Sequence, residues 1–161
     1  MGSESTKISK NTRSFLGLIM IIILGGAAVY YWLSNESANS FTIELISFKR
    51  EYNIFLGLLS VDMEIKISHG GNFDCTLSTR ELTLYLNNIN CGTKGFSEAW
   101  DRCPPNSWST YTIKWNIINQ EDIEKLTNID SYNVVLKFKA QSKSGLVNTN
   151  IEKTYLGTWN L

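Results

Sequence analysis

The chain has 161 residues, of which 43% are hydrophobic and 19% are charged, and its formal net charge is zero. The part beyond residue 40 is long enough for one domain with its own hydrophobic core. That part holds twelve Lys and Arg against thirteen Asp and Glu, so it lacks the basic surface that nucleic acids and anionic surfaces select. We therefore predict no nucleic-acid partner.

The first element is a run of nineteen uncharged, mostly apolar residues, 15–33. As an α-helix it would extend about 28 Å, close to the roughly 30 Å hydrocarbon core of a bilayer. Tyr30, Tyr31 and Trp32 lie at its C-terminal end, and such rings favour the depth of the lipid headgroups. The run predicts one transmembrane signal-anchor helix, because a buried globular helix is rarely apolar all round.

The flanking charges predict the orientation of this helix. Lys7, Lys10 and Arg13 precede the run, within a tail of residues 1–14, and Glu36 follows it. Because positive charge is retained on the cytoplasmic side of membranes, we predict a cytoplasmic tail and an extracytoplasmic domain at the cell membrane.

Two other interpretations of the run compete with a permanent anchor. Gly25–Ala28 offers small residues after an apolar stretch, as in a cleaved signal peptide, although the apolar run continues to Leu33. A pilin-like helix usually has Gly or Ala before its cleavage site and an acidic residue early in the mature helix. Here Arg13-Ser14 precedes the run and no acid lies within it, so we favour the anchor.

Residues 34–40, SNESANS, are predicted to form a short polar linker. Asn35 begins Asn-Glu-Ser, the acceptor pattern for N-glycosylation. It is a candidate glycosylation site in a host that glycosylates proteins on this face of the membrane.

Residues 41–161 form the predicted domain, and their dominant pattern is alternation of apolar and polar side chains, which is typical of half-buried antiparallel strands. The alternation is clearest in 59–67, 82–86, 111–117 and 134–138, and weaker or shorter strands are predicted over 41–49, 73–77 and 146–154. About seven short strands with turn signals between them predict an all-β, immunoglobulin-like antiparallel sandwich.

One short helix is predicted within this sandwich, in NQEDIEKLTNI. Asn119 can cap its start, acidic residues fill its first turn, and Ile123 and Leu126 form an apolar edge.

The order of these features resembles the late-embryogenesis-abundant β-sandwich family, also called the water-stress and hypersensitive-response (WHy) domain. The alternating strand Val61–Ile67 leads into the turn SHGGNF, which carries Asn72-Phe73 in the family's Asn-then-apolar positions. A strand over 82–88, a loop containing Pro104-Pro105 and a short helix over 121–126 follow in the family's order.

The turn also departs from the family, since Gly70-Gly71 replaces its Asn-Pro step. The resemblance implies an immunoglobulin-like sandwich, often on a membrane anchor, without enzymatic activity. It also implies a role in stress protection or in interactions at the cell envelope.

The three cysteines at positions 75, 91 and 103 allow three disulfide pairings in an oxidising compartment. Cys91 and Cys103 bracket a polar segment that a strand pair would not otherwise hold. We therefore predict a Cys91–Cys103 disulfide, with Cys75 as a buried small apolar residue.

No residue set predicts catalysis or a cofactor. His69, Asp74 and Cys75 match no standard zinc spacing, and a lone His in a Gly-rich turn is usually solvated. His69 is also the one histidine that could activate a serine or cysteine nucleophile, and no segment of the sequence resembles a nucleophile elbow. We predict no metal, no cofactor, no small-molecule substrate and no enzymatic activity.

The aromatic residues offer candidates for partner binding. Trp115 has the phase of a core residue, whereas Phe96 and Trp100 lie in the segment between Cys91 and Cys103. Aromatic rings dominate interface hot spots, so these two are the predicted partner-binding residues, with packing under the loop as the alternative.

Together these observations predict a membrane-anchored, non-catalytic binding or structural module of the cell envelope, which contacts a protein or a glycan. One alternative is a stress-protective WHy-type protein. The other is an anchored component of an archaeal-type surface filament, either stator-like or an atypical pilin.

Overall fold

The computed structural model describes residues 10–95 and 102–161, with side chains from residue 14 onward in these ranges. The described part contains two helices and eight strands. In chain order they are α1 (Lys10–Asn39), β1 (Phe41–Asn53), β2 (Leu58–His69), β3 (Cys75–Leu86), β4 (Ile89–Gly95), β5 (Arg102–Cys103), β6 (Ser107–Ile117), α2 (Gln120–Thr127), β7 (Ser131–Ser144) and β8 (Val147–Asn160).

The strands form two antiparallel sheets that enclose one hydrophobic core. The first sheet has the order β1-β2-β6, and the second has the order β4-β3-β7-β8, with β5 paired beside β3. This arrangement confirms the predicted all-β sandwich preceded by a long apolar helix.

The core forms as the alternating patterns predict. The inward residues of β2, namely Leu59, Val61, Met63, Ile65 and Ile67, are fully buried, and so are the inward residues of β3 and β7. Trp115 is fully buried as predicted. In α2, Asn119 Oδ1 accepts a hydrogen bond from the Asp122 amide at 3.2 Å, which confirms the predicted cap.

Helix α1 extends beyond the predicted membrane run. It has 30 residues and is therefore about 45 Å long, more than a bilayer core requires. Within the described part, it is the one helix long and apolar enough to cross a membrane, over Ser14–Asn39 with a mean hydropathy of 2.1.

Residues 34–39 of the predicted linker, 34–40, are the last part of this helix and not an extended tether. Ser34, Ser37 and Ala38 are fully buried, because their small side chains form a stripe that lets α1 pack directly on the sandwich. Only Ser40 separates the helix from β1. The helix and the sandwich are thus joined by packing as well as by the chain.

The sandwich has two ends, which we name by their relation to α1. The anchor end holds the start of β1, the end of β2, the β5 strand and the β7–β8 turn. The distal end holds the β1–β2 turn, the end of β6 and helix α2. Because β1 has 13 residues, the two ends lie roughly 40 Å apart along this strand.

Candidate functional surfaces

The largest exposed apolar side chains at the distal end belong to the β1–β2 turn and to the residue after β6. Ile54, Phe55, Leu56 and Ile118 are 76%, 99%, 71% and 76% exposed, respectively. We call these four residues the distal tip. Single exposed apolar residues are ordinary, but a group on one projecting turn is typical of an interaction site.

The distal tip is a structured turn. The Asn53 side chain accepts a hydrogen bond from the Leu56 amide at 3.1 Å, and Gly57 adopts the left-handed conformation with φ of +55°. The Gln120 side-chain amide donates to the Gly57 carbonyl at 3.0 Å, which joins the turn to the segment that carries Ile118. The apolar side chains are therefore presented by a fixed backbone.

Helix α2 is held in place beneath the distal tip by Arg50. Its Nη1 donates hydrogen bonds to the Leu126 and Thr127 carbonyls and to the Tyr132 hydroxyl, at 3.1, 3.0 and 2.8 Å. These carbonyls belong to the last turn of the helix, where a cation is favourable.

At the anchor end, Ser37 connects α1 to the turn after β2. Its Oγ accepts hydrogen bonds from the Asn72 and Phe73 amides at 3.0 and 3.1 Å. The Gly70 amide donates to the Ser40 carbonyl at 2.9 Å. These bonds fix the direction in which the helix leaves the sandwich.

His69 is buried at this junction, which corrects the expectation of a solvated histidine. Its Nδ1 lies 3.0 Å from the Pro104 carbonyl oxygen, its Nε2 lies 3.1 Å from the Ser37 carbonyl oxygen, and its ring stacks on Phe41. Carbonyl oxygens only accept hydrogen bonds, so the ring satisfies both of them only when both nitrogens carry protons.

This geometry predicts a pH-dependent stability. Burial lowers the pKa of His69, but hydrogen bonds to Cys75 and to the Pro104 and Ser37 carbonyls outweigh burial and raise the pKa above 6.5. Because the folded-state pKa is the higher one, the stabilisation is complete below pH 6.5 and is lost as the pH rises through the folded-state pKa. We expect the thermal midpoint of the detergent-solubilised protein to fall across that window.

His69 is the only histidine in the chain, so His69→Gln should flatten this pH profile. An equal slope in the variant and the unmodified protein would assign the pH dependence to other groups.

The predicted Cys91–Cys103 disulfide is not formed, since all three cysteines are thiols, and the strand registers explain why. Cys103 lies directly opposite Cys75, whereas Cys91 lies beside Leu84 and Tyr85. The nine residues from 75 to 84 along β3 correspond to roughly 25–30 Å, far beyond the reach of a disulfide.

The other predicted site residues have different outcomes. Phe96 and Trp100 lie outside the described residues. Asn35 is exposed on α1, but the serine of its acceptor pattern, Ser37, is buried and accepts hydrogen bonds from two backbone amides.

The distal tip was not predicted from the sequence. Its signal is nevertheless visible there, as three consecutive apolar residues, Ile54–Leu56, followed by Gly57.

A groove of about 450 Å³ at the anchor end is lined by Asp74, Cys75, Arg102 and Lys143, among others. A groove of about 490 Å³ on the outer face of the second sheet is lined by hydroxyl and amide side chains with one lysine, among them Thr76, Gln141, Asn148 and Asn150. Within the described part, no group of three or more His, Cys, Asp and Glu side chains is placed to hold a metal ion.

No known family model matches the chain, and no curated protein matches its sequence. Among solved structures, a target of the Northeast Structural Genomics Consortium, SoR45, is similar at 15% identity, over 73% of this chain and 85% of that chain, with a TM-score of 0.51. A protein from Archaeoglobus fulgidus is similar at 12% identity, over 73% of this chain and 98% of that chain, with a TM-score of 0.40. The first similarity concerns the fold alone.

Proposed function

We propose that this chain is a membrane-anchored, non-catalytic binding module of the cell envelope, which uses its distal tip to contact a partner protein outside the cytoplasm. The observation that carries the proposal is the exposed apolar tip on a fixed turn. Phe55 is 99% exposed, so its side chain is not part of the hydrophobic core of the described residues. Large apolar side chains in a cluster supply much of the binding energy in protein interfaces.

The position of the tip supports the same proposal. Helix α1 is a single candidate membrane span, and it packs on the anchor end of the sandwich. The tip lies at the other end of β1, roughly 40 Å along the strand. A rigid connection between helix and sandwich would hold the tip at a set distance from the bilayer.

A glycan partner is the second candidate, and the groove beside Gln141 and Asn150 favours it, because its hydroxyl and amide side chains can donate and accept hydrogen bonds. The two partner classes thus use different surfaces. A stress-protective role of the WHy type would need no specific partner, and a filament component would contact a filament subunit.

Photo-crosslinking in living cells tests the proposal. A photoreactive amino acid at position 55 is expected to capture one specific protein. The matched control is the same reagent at position 156, because Leu156 is an equally apolar residue that is 73% exposed on β8, outside the tip. Adding Ile118→Asp, at another exposed tip residue, is expected to lower the yield from position 55 about tenfold or more.

The alternatives give different results in this experiment. Capture of the same proteins from positions 55 and 156 would contradict a specific tip interface and favour a diffuse protective role. An unchanged yield with Ile118→Asp would also contradict it. Identification of a filament subunit at position 55 would support the anchored filament component.

A further inference from the structure

Two of the three cysteines face each other at the anchor end. Cys75 begins β3, Cys103 ends β5, and the register makes them direct partners, with Thr76 opposite Arg102 as the next pair. Directly opposed residues on antiparallel strands have Cα atoms about 4.5–5.5 Å apart and side chains on the same face. Both side chains are buried on the inner face, and the usual Cα separation of opposed residues falls within the range that disulfides require.

We propose that Cys75 and Cys103 form a disulfide when the chain meets a disulfide oxidant, and that Cys91 keeps its thiol. In cells this inference rests on the proposed location outside the cytoplasm, where such oxidants are present. Strand β5 has only two residues, which form two pairs with β3. A disulfide at Cys103 would therefore join this short strand covalently to β3.

The reaction is thiol–disulfide exchange. The Cys75 thiolate attacks one sulfur of the oxidant's disulfide, and one oxidant thiolate leaves. The Cys103 thiolate then attacks the Cys75 sulfur of this mixed disulfide, the Cys75–Cys103 bond forms, and the second oxidant thiolate leaves. Two electrons pass to the oxidant, and the two cysteine protons end on its two sulfurs.

The surroundings of Cys75 favour its role as the attacking group. Cys75 borders an open groove of about 450 Å³ together with Arg102 and Lys143, so an anionic oxidant such as oxidised glutathione can bind beside it while the chain folds and before its side chain is buried.

Cys91 is a poor competitor for either cysteine. It is roughly 25–30 Å away along β3, and its thiol donates to the Ile89 carbonyl at 3.6 Å. Burial raises the pKa of the Cys91 thiol to about 11, so little of it is thiolate at neutral pH.

The test uses the full chain in detergent micelles, reduced, opened with urea and refolded in a buffer of reduced and oxidised glutathione. Remaining thiols are alkylated, and the disulfides are mapped by mass spectrometry without reduction. We expect Cys75 joined to Cys103 as the main product and Cys91 alkylated. We also expect a thermal midpoint about 10 °C higher than that of the reduced protein.

Two variants make the result decisive. Cys91→Ser should give the same yield of the bond, and Cys103→Ser should abolish it. A main product that links Cys91 to either partner, or no intramolecular bond in both the unmodified protein and Cys91→Ser, would overturn the inference.

Alkylation of acid-quenched cells separates this inference from the proposed location. Oxidised Cys75 and Cys103 in cells would support both the disulfide pairing and the location outside the cytoplasm. A pair that forms in micelles but is reduced in cells supports the pairing and contradicts the location outside the cytoplasm.

Discussion

Replacing Trp115 with alanine is expected to lower the free energy of unfolding by about 3–5 kcal/mol. The side chain is fully buried, and its Nε1 donates to the Gly92 carbonyl at 3.2 Å. Trp115 lies on β6 of the first sheet and Gly92 on β4 of the second, so the substitution leaves a cavity and also removes a bond between the sheets. Urea denaturation of the detergent-solubilised protein measures the effect.

Trp108 provides the matched control, because it lies on the same strand but is 61% exposed. Its one described aromatic interaction is with the Lys66 ammonium, 5.7 Å from the ring centroid. We expect Trp108→Ala to cost less than about 1 kcal/mol. Equal losses for the two variants would contradict the core position of Trp115.

Gly71→Ala is expected to loosen α1 from the sandwich and to cost about 1–3 kcal/mol. A Cβ at this buried position would lie 2.7 Å from the Ser37 Cα and 2.6 Å from His69 Nε2, so the helix backbone would have to move. Hydrogen exchange gives a local measurement, since the Asn72 and Phe73 amides that donate to Ser37 Oγ should exchange faster.

The neighbouring glycine is the control for this experiment. A Cβ at Gly70 would meet only the Ser40 carbonyl oxygen, at 3.8 Å, so Gly70→Ala should leave stability and exchange nearly unchanged. Full stability of Gly71→Ala with protected amides at 72 and 73 would show that the helix is not packed as described.

The core strands could be predicted because their burial follows the chain's own alternation. Residues 59–67 and 134–138 place apolar side chains on every second position, and burial in the structure has the same period. The fold class depends on these strands, so it could be predicted although the number of strands could not.

Strands β4 and β5 were missed for different reasons. Strand β4, INCGTKG, has no alternation, and β5 has two residues. A local signal for the β3–β4 hairpin exists in Asn87-Asn88, which have φ of 48° and 69°, because asparagine tolerates the left-handed conformations that tight hairpin turns require.

The prediction of a linker was wrong because the polar and small residues of this segment do not by themselves indicate that it packs on the sandwich. Serine and alanine are polar or small, but Ser34, Ser37 and Ala38 recur at helical spacing and permit close approach of α1 to the sandwich. The glycine step at Gly70-Gly71 belongs to the same contact. Neither segment alone identifies the other as its partner.

The cysteine pairing could not be predicted from spacing, since it depends on register. Cys103 is closer in sequence to Cys91 than to Cys75, yet β5 pairs with the start of β3 and not with β4. The site is thus set by long-range strand pairing, which the sequence around each cysteine does not encode.

We propose that α1 crosses the membrane and holds the sandwich outside the cytoplasm with its tip exposed. Labelling of intact cells with a membrane-impermeant maleimide tests it, with Phe55→Cys as the reporter, Ser5→Cys in the N-terminal tail as the opposite reporter, and the unmodified chain as the background. We expect strong labelling of Phe55→Cys in intact cells, and labelling of Ser5→Cys only after permeabilisation. Labelling of Ser5→Cys in intact cells, with Phe55→Cys protected until the cells are opened, would contradict it.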